Sequence, residues 1–263
     1  MRHALLFLLF WFAISSETAW SADPETTAGK TGGVTEISMK RESCLGMCPA
    51  DELVLSADGG ALYAGYSATP RIGIYTGKID NWTFTRLAAY LVEQEFFEKD
   101  AVMTRSEGLH MVPVTFTIVR DGKATKKRLI SEITPAGWAI ETLMESISSK
   151  IDWQPVDSGI SGQLVTSFEN KDNFWTNLPL PNAIISISPT KNNPTPNSRL
   201  GSLALSGFSC RTDKEGRFEI NLPSGEYLIQ SRYYPLQGKG VAGYEMSVTV
   251  LSRGMSPVIL SIR

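Results

Sequence analysis

Apolar positions in the first half of the chain follow two different periods. Short apolar runs typical of strands lie between Thr35 and Ile79 and again between Val114 and Ile130. Between these regions, six apolar residues recur at helical spacing: Phe84, Leu87, Ala88, Leu91, Val92 and Phe96. Asp80 or Asn81 precedes this helical run and can cap it. Trp138 to Ile151 shows a second helical pattern, so we expect an α+β domain with an antiparallel sheet and two helices.

Two tight turns divide the strand regions. Asp58-Gly59-Gly60 and Asp121-Gly122-Lys123 each stand between apolar runs. Asp-Gly in this setting is a strong signal for a β-hairpin. We therefore predict hairpins at both positions.

The second half of the chain shows no helical pattern and several short strand-like runs. The predicted strands are Ile160–Thr166, Ala183–Ser188, Leu203–Leu205, Phe218–Asn221, Tyr227–Ser231, Glu245–Val250 and Val258–Ile262. Turn residues separate them at intervals of roughly 8 to 20 residues, which suits an all-β sandwich of the transthyretin-like or immunoglobulin-like kind.

The chain begins with the pattern of a secretory signal peptide. Arg2 and His3 are followed by the apolar stretch Leu5 to Ile14 and by Ala19-Trp20-Ser21, a small-x-small cleavage pattern. The apolar stretch is shorter than the roughly 20 residues that span a bilayer, although an uncleaved N-terminal anchor is the alternative. We expect a periplasmic or secreted protein with no membrane span after cleavage. The predicted division is 1–22 signal peptide, 23–33 flexible leader, 34–153 α+β domain, 154–159 linker and 160–263 sandwich.

Charge and cysteine content narrow the choice of partners and sites. The net charge of -2 provides no basic field for nucleic acid. The chain has three cysteines, and export would favour a disulfide between Cys44 and Cys48, which would leave Cys210 over. A redox-active dithiol, the alternative for this pair, requires a low-pKa thiol such as one at a helix start. We predict neither a metal site nor a cofactor, because metal needs three or four ligands and His110 is the one histidine after the signal peptide.

No set of catalytic residues is indicated, and two surface features are candidates for binding. Phe174 and Trp175 lie in a predicted loop of the sandwich, where they could stack on sugars or contact a protein, or else fold over the core. A basic stretch with Lys123, Lys126, Lys127 and Arg128 could contact an acidic polymer or a membrane surface, or protect a sheet edge.

Several motifs of the first half occur together in a known family. They are Cys44-x-Gly46-x-Cys48-Pro49, the Leu53–Ser56 strand, Asp58-Gly59, Tyr63-x-Gly65, Phe96-Phe97 and Asp121-Gly122. In these the chain resembles bacterial exported proteins of the DUF6438 type, a domain of unknown function. It departs from that pattern at Ala50-Asp51, where an aromatic residue is expected. The resemblance implies a fold segment and no activity.

Four motifs of the second half resemble the carboxypeptidase regulatory-like, transthyretin-like β-sandwich. They are Gly162-Gln163-Leu164-Val165, Leu180-Pro181-Asn182-Ala183, Thr212-Asp213-Lys214-Glu215-Gly216-Arg217-Phe218 and Leu222-Pro223-Ser224-Gly225-Glu226-Tyr227. This resemblance implies an accessory module that adds stability, spacing or adhesion.

Together these observations favour a non-catalytic binding or structural module of the bacterial periplasm or envelope over an enzyme. Its expected partner is a protein or an envelope polysaccharide. Two alternatives stay open: a thiol-dependent redox protein using Cys44 and Cys48, and a carbohydrate-binding protein using Phe174 and Trp175. The sequence sets neither the ligand nor the oligomeric state.

Overall fold

The chain is mostly β, with few helices and large sheets. The structure, a computed structural model, describes residues 32–44, 48–98, 112–129, 135–169, 175–190, 198–233 and 242–262. The first half contains β1 Val34–Arg41, β2 Ala50–Ser56, β3 Gly60–Ser67, β4 Gly73–Lys78, α1 Asn81–Glu93, β5 Val114–Arg120, β6 Lys123–Leu129 and α2 Pro135–Lys150. The second half contains β7 Gln154–Pro155, β8 Ser158–Glu169, β9 Trp175–Pro179, β10 Ile184–Pro189, α3 Arg199–Ala204, β11 Phe208–Arg211, β12 Arg217–Asn221, β13 Gly225–Tyr233, β14 Ala242–Val250 and β15 Gly254–Ile262.

Helix α1 begins where its cap predicts. The Asp80 carboxylate accepts hydrogen bonds from the Thr83 backbone N–H at 2.8 Å and from the Thr83 hydroxyl at 2.7 Å. These bonds, with the hydroxyl contribution the largest, lower the pKa of Asp80. Five of the six apolar positions of the pattern are buried, with Phe84, Leu87 and Leu91 at most 2% exposed. Val92 is half-buried, and Phe96 follows the end of α1 at Glu93.

One large sheet runs through both halves of the chain. Its strand order is β15-β8-β12-β4-β3-β2-β1-β5-β6, with β7 paired to β4 and β9 paired to β8. The halves meet where β12 pairs in parallel with β4, at Asn221 and Gly73. Gly73 has φ +109, and a Cβ there would lie 2.6 Å from the Asn221 carbonyl oxygen. Because L-residues rarely adopt this φ and no side chain fits, the junction requires glycine.

The large sheet packs against a different layer on each face. Helices α1 and α2 cover one face through a core that includes Ile37, Leu55, Phe84, Phe116 and Met144. On the other face, apolar residues of β2, β3 and β4 pack against a four-stranded sheet of order β11-β10-β13-β14. That second core includes Val54, Ala64, Ile74, Ile185 and Ile229. Residues from both halves of the chain therefore share one core.

The structure differs from the sequence prediction at helix α3 and at the predicted linker. The strand predicted at Leu203–Leu205 is wrong, because Leu203 and Ala204 form the last turn of α3 and Leu205 is its C-cap. Ser198 caps this helix by accepting the Gly201 N–H at 3.2 Å. The residues predicted as a linker contribute to the large sheet, since β7 pairs with β4 and β8 begins at Ser158. Among the described helices, none has the length and apolar character needed to cross a bilayer.

Candidate functional site: a polar groove beside helix α3

Strand β2 carries two consecutive buried carboxylates that face opposite sides of the sheet. Asp51 is 4% exposed and Glu52 is 7% exposed, and successive side chains of a strand alternate between faces. Each accepts a hydrogen bond from a tyrosine of β3, Asp51 from Tyr63 at 3.2 Å and Glu52 from Tyr66 at 3.1 Å. Burial, followed by the neighbouring carboxylate, raises the pKa of both tyrosines. Both hydroxyls therefore stay protonated as donors at neutral pH.

On the helix-covered face, Asp51 is held by Arg41. The guanidinium donates through Nε at 2.7 Å and through Nη2 at 2.6 Å to the two carboxylate oxygens. It also pairs with Glu145, and Nη1 lies 3.9 Å from Glu141, both on α2. The hydrogen bond to Asp51 is the main cause of a raised pKa for Arg41. One cation thus serves three carboxylates and ties β1, β2 and α2 together, which indicates a structural role.

On the opposite face, Glu52 lies at the centre of a second charge network. Arg199 Nη2 donates to Glu52 Oε1 at 2.9 Å, and Lys40 Nζ lies 3.5 Å from Glu52 Oε2. Arg199 Nε lies 3.2 Å from Glu36 Oε1, and Lys40 Nζ donates to Ser206 Oγ at 3.1 Å. Since Arg199 and Ser206 belong to α3 and the segment after it, this network joins the two halves of the chain.

The Glu52 network stands beside a cavity of about 440 Å³, which we call the polar groove. Its lining comes from β1, β2, β5, β6 and the α3 region: Glu36, Ser38, Lys40, Glu52, Thr115, Thr117, Val119, Ala124, Lys126, Arg199, Ser202 and Ser206. On this face the β2–β4 side chains are apolar and packed in the shared core. Those of β1, β5 and β6 are mainly polar. The groove therefore lies where the large sheet extends past the apolar core and α3 forms a wall.

Strand pairing arranges the groove floor in rows. One row runs Ser38, Thr117, Lys126, because Ser38 pairs with Thr117 and Thr117 pairs with Lys126. The next row runs Lys40, Thr115, Arg128. Neighbouring strands lie about 4.8 Å apart. A third row, Glu36, Val119, Ala124, adds a carboxylate and two apolar side chains. Hydroxyl and cationic groups therefore fill two of the three rows.

The charges of the groove are mostly compensated. Glu36 and Glu52 are held by Arg199 and Lys40, and Arg128, at the end of the second row, pairs with Glu42 at 2.7 Å. Lys126 is exposed and makes no ion pair with any residue that the structure describes. Its amino group is therefore available to a ligand.

A second cavity of about 520 Å³ adjoins the polar groove, since Lys40 and Ser206 line both. It adds five serines from both halves of the chain: Ser43, Ser67, Ser186, Ser188 and Ser209. Tyr66 and Phe208 also line it, with ring centroids 5.4 Å apart and most of each ring buried. The two cavities together form an extended, hydroxyl-rich depression.

The predicted cysteine pair is not among the residues that line either cavity. Cys44 and Cys48 form a disulfide with Cα atoms 5.6 Å apart, in the connection between β1 and β2. Cys210 is a free thiol, and burial raises its pKa to about 12. Phe174 lies outside the described residues, and only the backbone of Trp175 is described, as the first residue of β9. The binding role expected for Phe174 and Trp175 therefore stays a prediction.

Of the remaining sequence candidates, the basic stretch is described by the structure and His110 is not. The basic stretch divides between the two faces of β6: Lys126 lines the groove, whereas Lys127 donates to the Phe96 carbonyl at 2.5 Å on the helix side. His110 lies outside the described residues. Within the ranges that the structure covers, no three His, Cys, Asp or Glu side chains are grouped to hold a metal ion.

A known protein family matches the first half of the chain. Residues 35–148 match the family model "Domain of unknown function (DUF6438)". No curated protein matches the chain in sequence. A solved structure from Pseudomonas aeruginosa, of a candidate carbohydrate-binding protein, aligns with 17% identity and a TM-score of 0.23, covering 41% of this chain and 90% of its own.

Sequence reasoning named Lys126 through the basic stretch but missed the buried carboxylates and their ionic partners. Asp51 and Glu52 form an acidic doublet at the start of an apolar strand, and this unusual placement was the one available signal. Their ionic partners, Arg41 and Arg199, lie 10 and 147 residues away along the chain. Only the folded chain brings Arg199 to Glu52.

Proposed function

We propose that this chain is an exported, non-catalytic binding module of the bacterial periplasm or envelope, and that a hydroxyl-rich polymer binds in the polar groove. One observation carries the proposal. Beside a wall formed by α3, two of the three rows on this face of β1, β5 and β6 consist of hydroxyl and cationic side chains, where a folding core would need apolar residues. Groups held on strands are preorganised, which lowers the entropic cost of binding.

The fold and location that we propose are those expected from the sequence. Residues 34–153 form an α+β domain and residues 160–263 a carboxypeptidase regulatory-like sandwich, after export by residues 1–22. We assign the Cys44–Cys48 disulfide a structural role, because it closes the connection between β1 and β2 next to Arg41 and Asp51. A disulfide also accords with an oxidising compartment.

A binding role fits the ionisable groups of the groove better than catalysis does. A general acid or base works best when its pKa lies near the operating pH and it can reach the reacting group. In the described part of the groove, both carboxylates are already held by Arg199 and Lys40. Their present partners would have to be displaced before either could transfer a proton.

The proposal is tested by probing a panel of immobilised glycans, both neutral and acidic, with the exported mature protein. Thr117→Trp places a large side chain in the central floor row. Thr125→Trp is the matched control, because Thr125 lies on the neighbouring strand and its side chain faces the other side of the sheet.

We expect wild-type protein and Thr125→Trp to be retained equally by at least one glycan, which is recovered chemically unchanged. We expect Thr117→Trp to lose at least tenfold in retention. Absence of retention by every glycan, equal retention of both tryptophan variants, or cleavage of the bound glycan would each overturn the proposal. Circular dichroism of the three proteins establishes that the variants are folded.

A further inference from the structure

The charge of the polar groove points to a narrower class of ligand, and this inference rests on the proposed function. We infer that the groove takes an acidic polysaccharide, a chain whose hydroxyl groups contact the floor and whose carboxylate or other anionic group pairs with Lys126. The argument depends on the charge balance, the polarity of the floor and the position of the aromatic rings.

The charge balance of the lining favours an anion. Lys40, Lys126 and Arg199 oppose Glu36 and Glu52, and both carboxylates are occupied by Lys40 and Arg199. The remaining charge is the Lys126 amino group, beside Thr117 in the central row. A ligand anion at this point meets an unpaired cation, whereas a ligand cation would have to displace an existing ion pair. Charge complementarity of this kind selects between ligands more than it adds affinity.

The polarity of the floor favours a ligand with many hydroxyl groups. Ser38, Thr115, Thr117, Ser202 and Ser206 offer hydroxyls that can both donate and accept hydrogen bonds. The adjoining cavity continues the depression past the Lys40–Ser206 hydrogen bond with further serines. An extended chain of sugar rings could occupy both cavities and exchange hydrogen bonds along its length.

The aromatic rings argue against recognition by stacking alone. Tyr66 and Phe208 are 6% and 3% exposed, and Lys40 covers the Tyr66 ring at 5.2 Å from its centroid. Binding of a neutral sugar through a ring face would need an exposed ring, which these two do not provide. A lipid surface is less suited, because membrane recognition uses clusters of four to eight basic residues and the described groove has one unpaired cation.

The test is isothermal titration of the mature protein with tetragalacturonate and tetramannuronate, each compared with its carboxyl-reduced, neutral tetramer. Lys126→Gln removes the proposed anion partner. Lys123→Gln is the matched control, because it removes the same charge from the same strand on the opposite face. Vesicles of neutral lipid with 30% phosphatidylglycerol and soluble polyglutamate test the other anionic partners.

We expect at least one uronate tetramer to bind about fivefold more tightly than its reduced form at 150 mM salt, because the described groove offers one unpaired cation. Lys126→Gln should weaken uronate binding by about fivefold, a typical upper value for one partly exposed ion pair. Lys123→Gln should bind uronate with the wild-type affinity. Lys126→Gln should not change binding of the reduced tetramer.

The outcomes separate this inference from the proposed function. Equal binding of acidic and reduced tetramers, lost in Thr117→Trp, would overturn the inference and keep the groove as a glycan site. Binding of vesicles or polyglutamate through Lys126 without binding of either uronate would overturn it in favour of another anionic partner. No change in uronate affinity on Lys126→Gln would overturn it as well, because the anion would then bind elsewhere.

Discussion

The buried ion pair of Arg41 and Asp51 allows a quantitative prediction of how much a substitution lowers the free energy of unfolding. The guanidinium makes two hydrogen bonds of 2.7 and 2.6 Å to a carboxylate whose side chain is 5% exposed. Arg41→Met keeps the aliphatic stem and removes the charge, which leaves Asp51 buried with one hydrogen bond, from Tyr63. Breaking a buried ion pair in this way typically costs 3–5 kcal/mol. Because the Arg41 side chain is 19% exposed and water can partly replace it, we expect the low end, about 3 kcal/mol.

Replacing both partners should cost much less than replacing one. In Arg41→Met/Asp51→Leu the buried Asp51 carboxylate is removed together with its cation, and the main loss is the acceptor for the Tyr63 hydroxyl, about 1 kcal/mol. The double variant should therefore be more stable than Arg41→Met alone by about 2 kcal/mol. Glu141 and Glu145 lose their cation in both variants, so their effect largely cancels in this comparison.

The assay is urea unfolding followed by far-UV circular dichroism. The single, double and control variants are compared on the condition that the free energy of unfolding falls with urea concentration at the same slope in each. Arg128→Met is the matched control, because Arg128 makes the same two-bond contact to Glu42 on an exposed surface. We expect that variant to unfold like the wild type, since exposed pairs contribute little. An Arg41→Met protein as stable as Arg128→Met, or a double variant less stable than Arg41→Met, would refute the reasoning.

Three further predictions concern other parts of the fold. Asp80→Ala should lower the free energy of unfolding by about 1 kcal/mol at pH 7 through loss of the α1 cap. Because the folded-state pKa of Asp80 is lowered, the difference between the variant and the wild type should shrink as pH falls below about 3.9. A pH-independent difference in urea unfolding would contradict this prediction. Glu141→Gln should be at least as stable as the wild type at pH 7, because burial raises the pKa of Glu141 despite Arg41. That advantage should fade below about pH 4.3, where Glu141 is protonated in both states; a stability loss at pH 7 would contradict the assignment. Cys44→Ser/Cys48→Ser should lose about 2 kcal/mol, the value for a loop of about five residues, and keep glycan retention, whereas loss of retention in a folded variant would contradict a purely stabilising role for the disulfide.

The local structure of the first half could be read from its sequence, because its signals are local. The Asp80 cap, the spacing from Phe84 to Leu91, and the Asp58-Gly59 and Asp121-Gly122 turns each act within a few residues. Helix α3 was missed because a helix of six residues is too short to show a period. Its residues Leu203, Ala204 and the following Leu205 are consecutive apolar residues and so imitate a strand.

The candidate site could not be predicted because it depends on contacts between distant parts of the chain. Glu52 belongs to β2 and its partner Arg199 to α3. The hydroxyl row Ser38–Thr117 requires the pairing of β1 with β5, which no local pattern specifies. Even the basic stretch, visible in the sequence, divides between two faces only once β6 is placed in the sheet.

The measurement that most directly tests the groove as a binding site is a titration of the ¹⁵N-labelled protein lacking residues 1–22, with tetragalacturonate and separately with tetramannuronate, followed by amide chemical shifts. The account predicts that the largest shifts fall on Ser38, Thr115, Thr117, Lys126 and Ser202, with α1 unchanged. Shifts confined to the β8–β15 side of the large sheet, or no shifts at millimolar ligand, would contradict it.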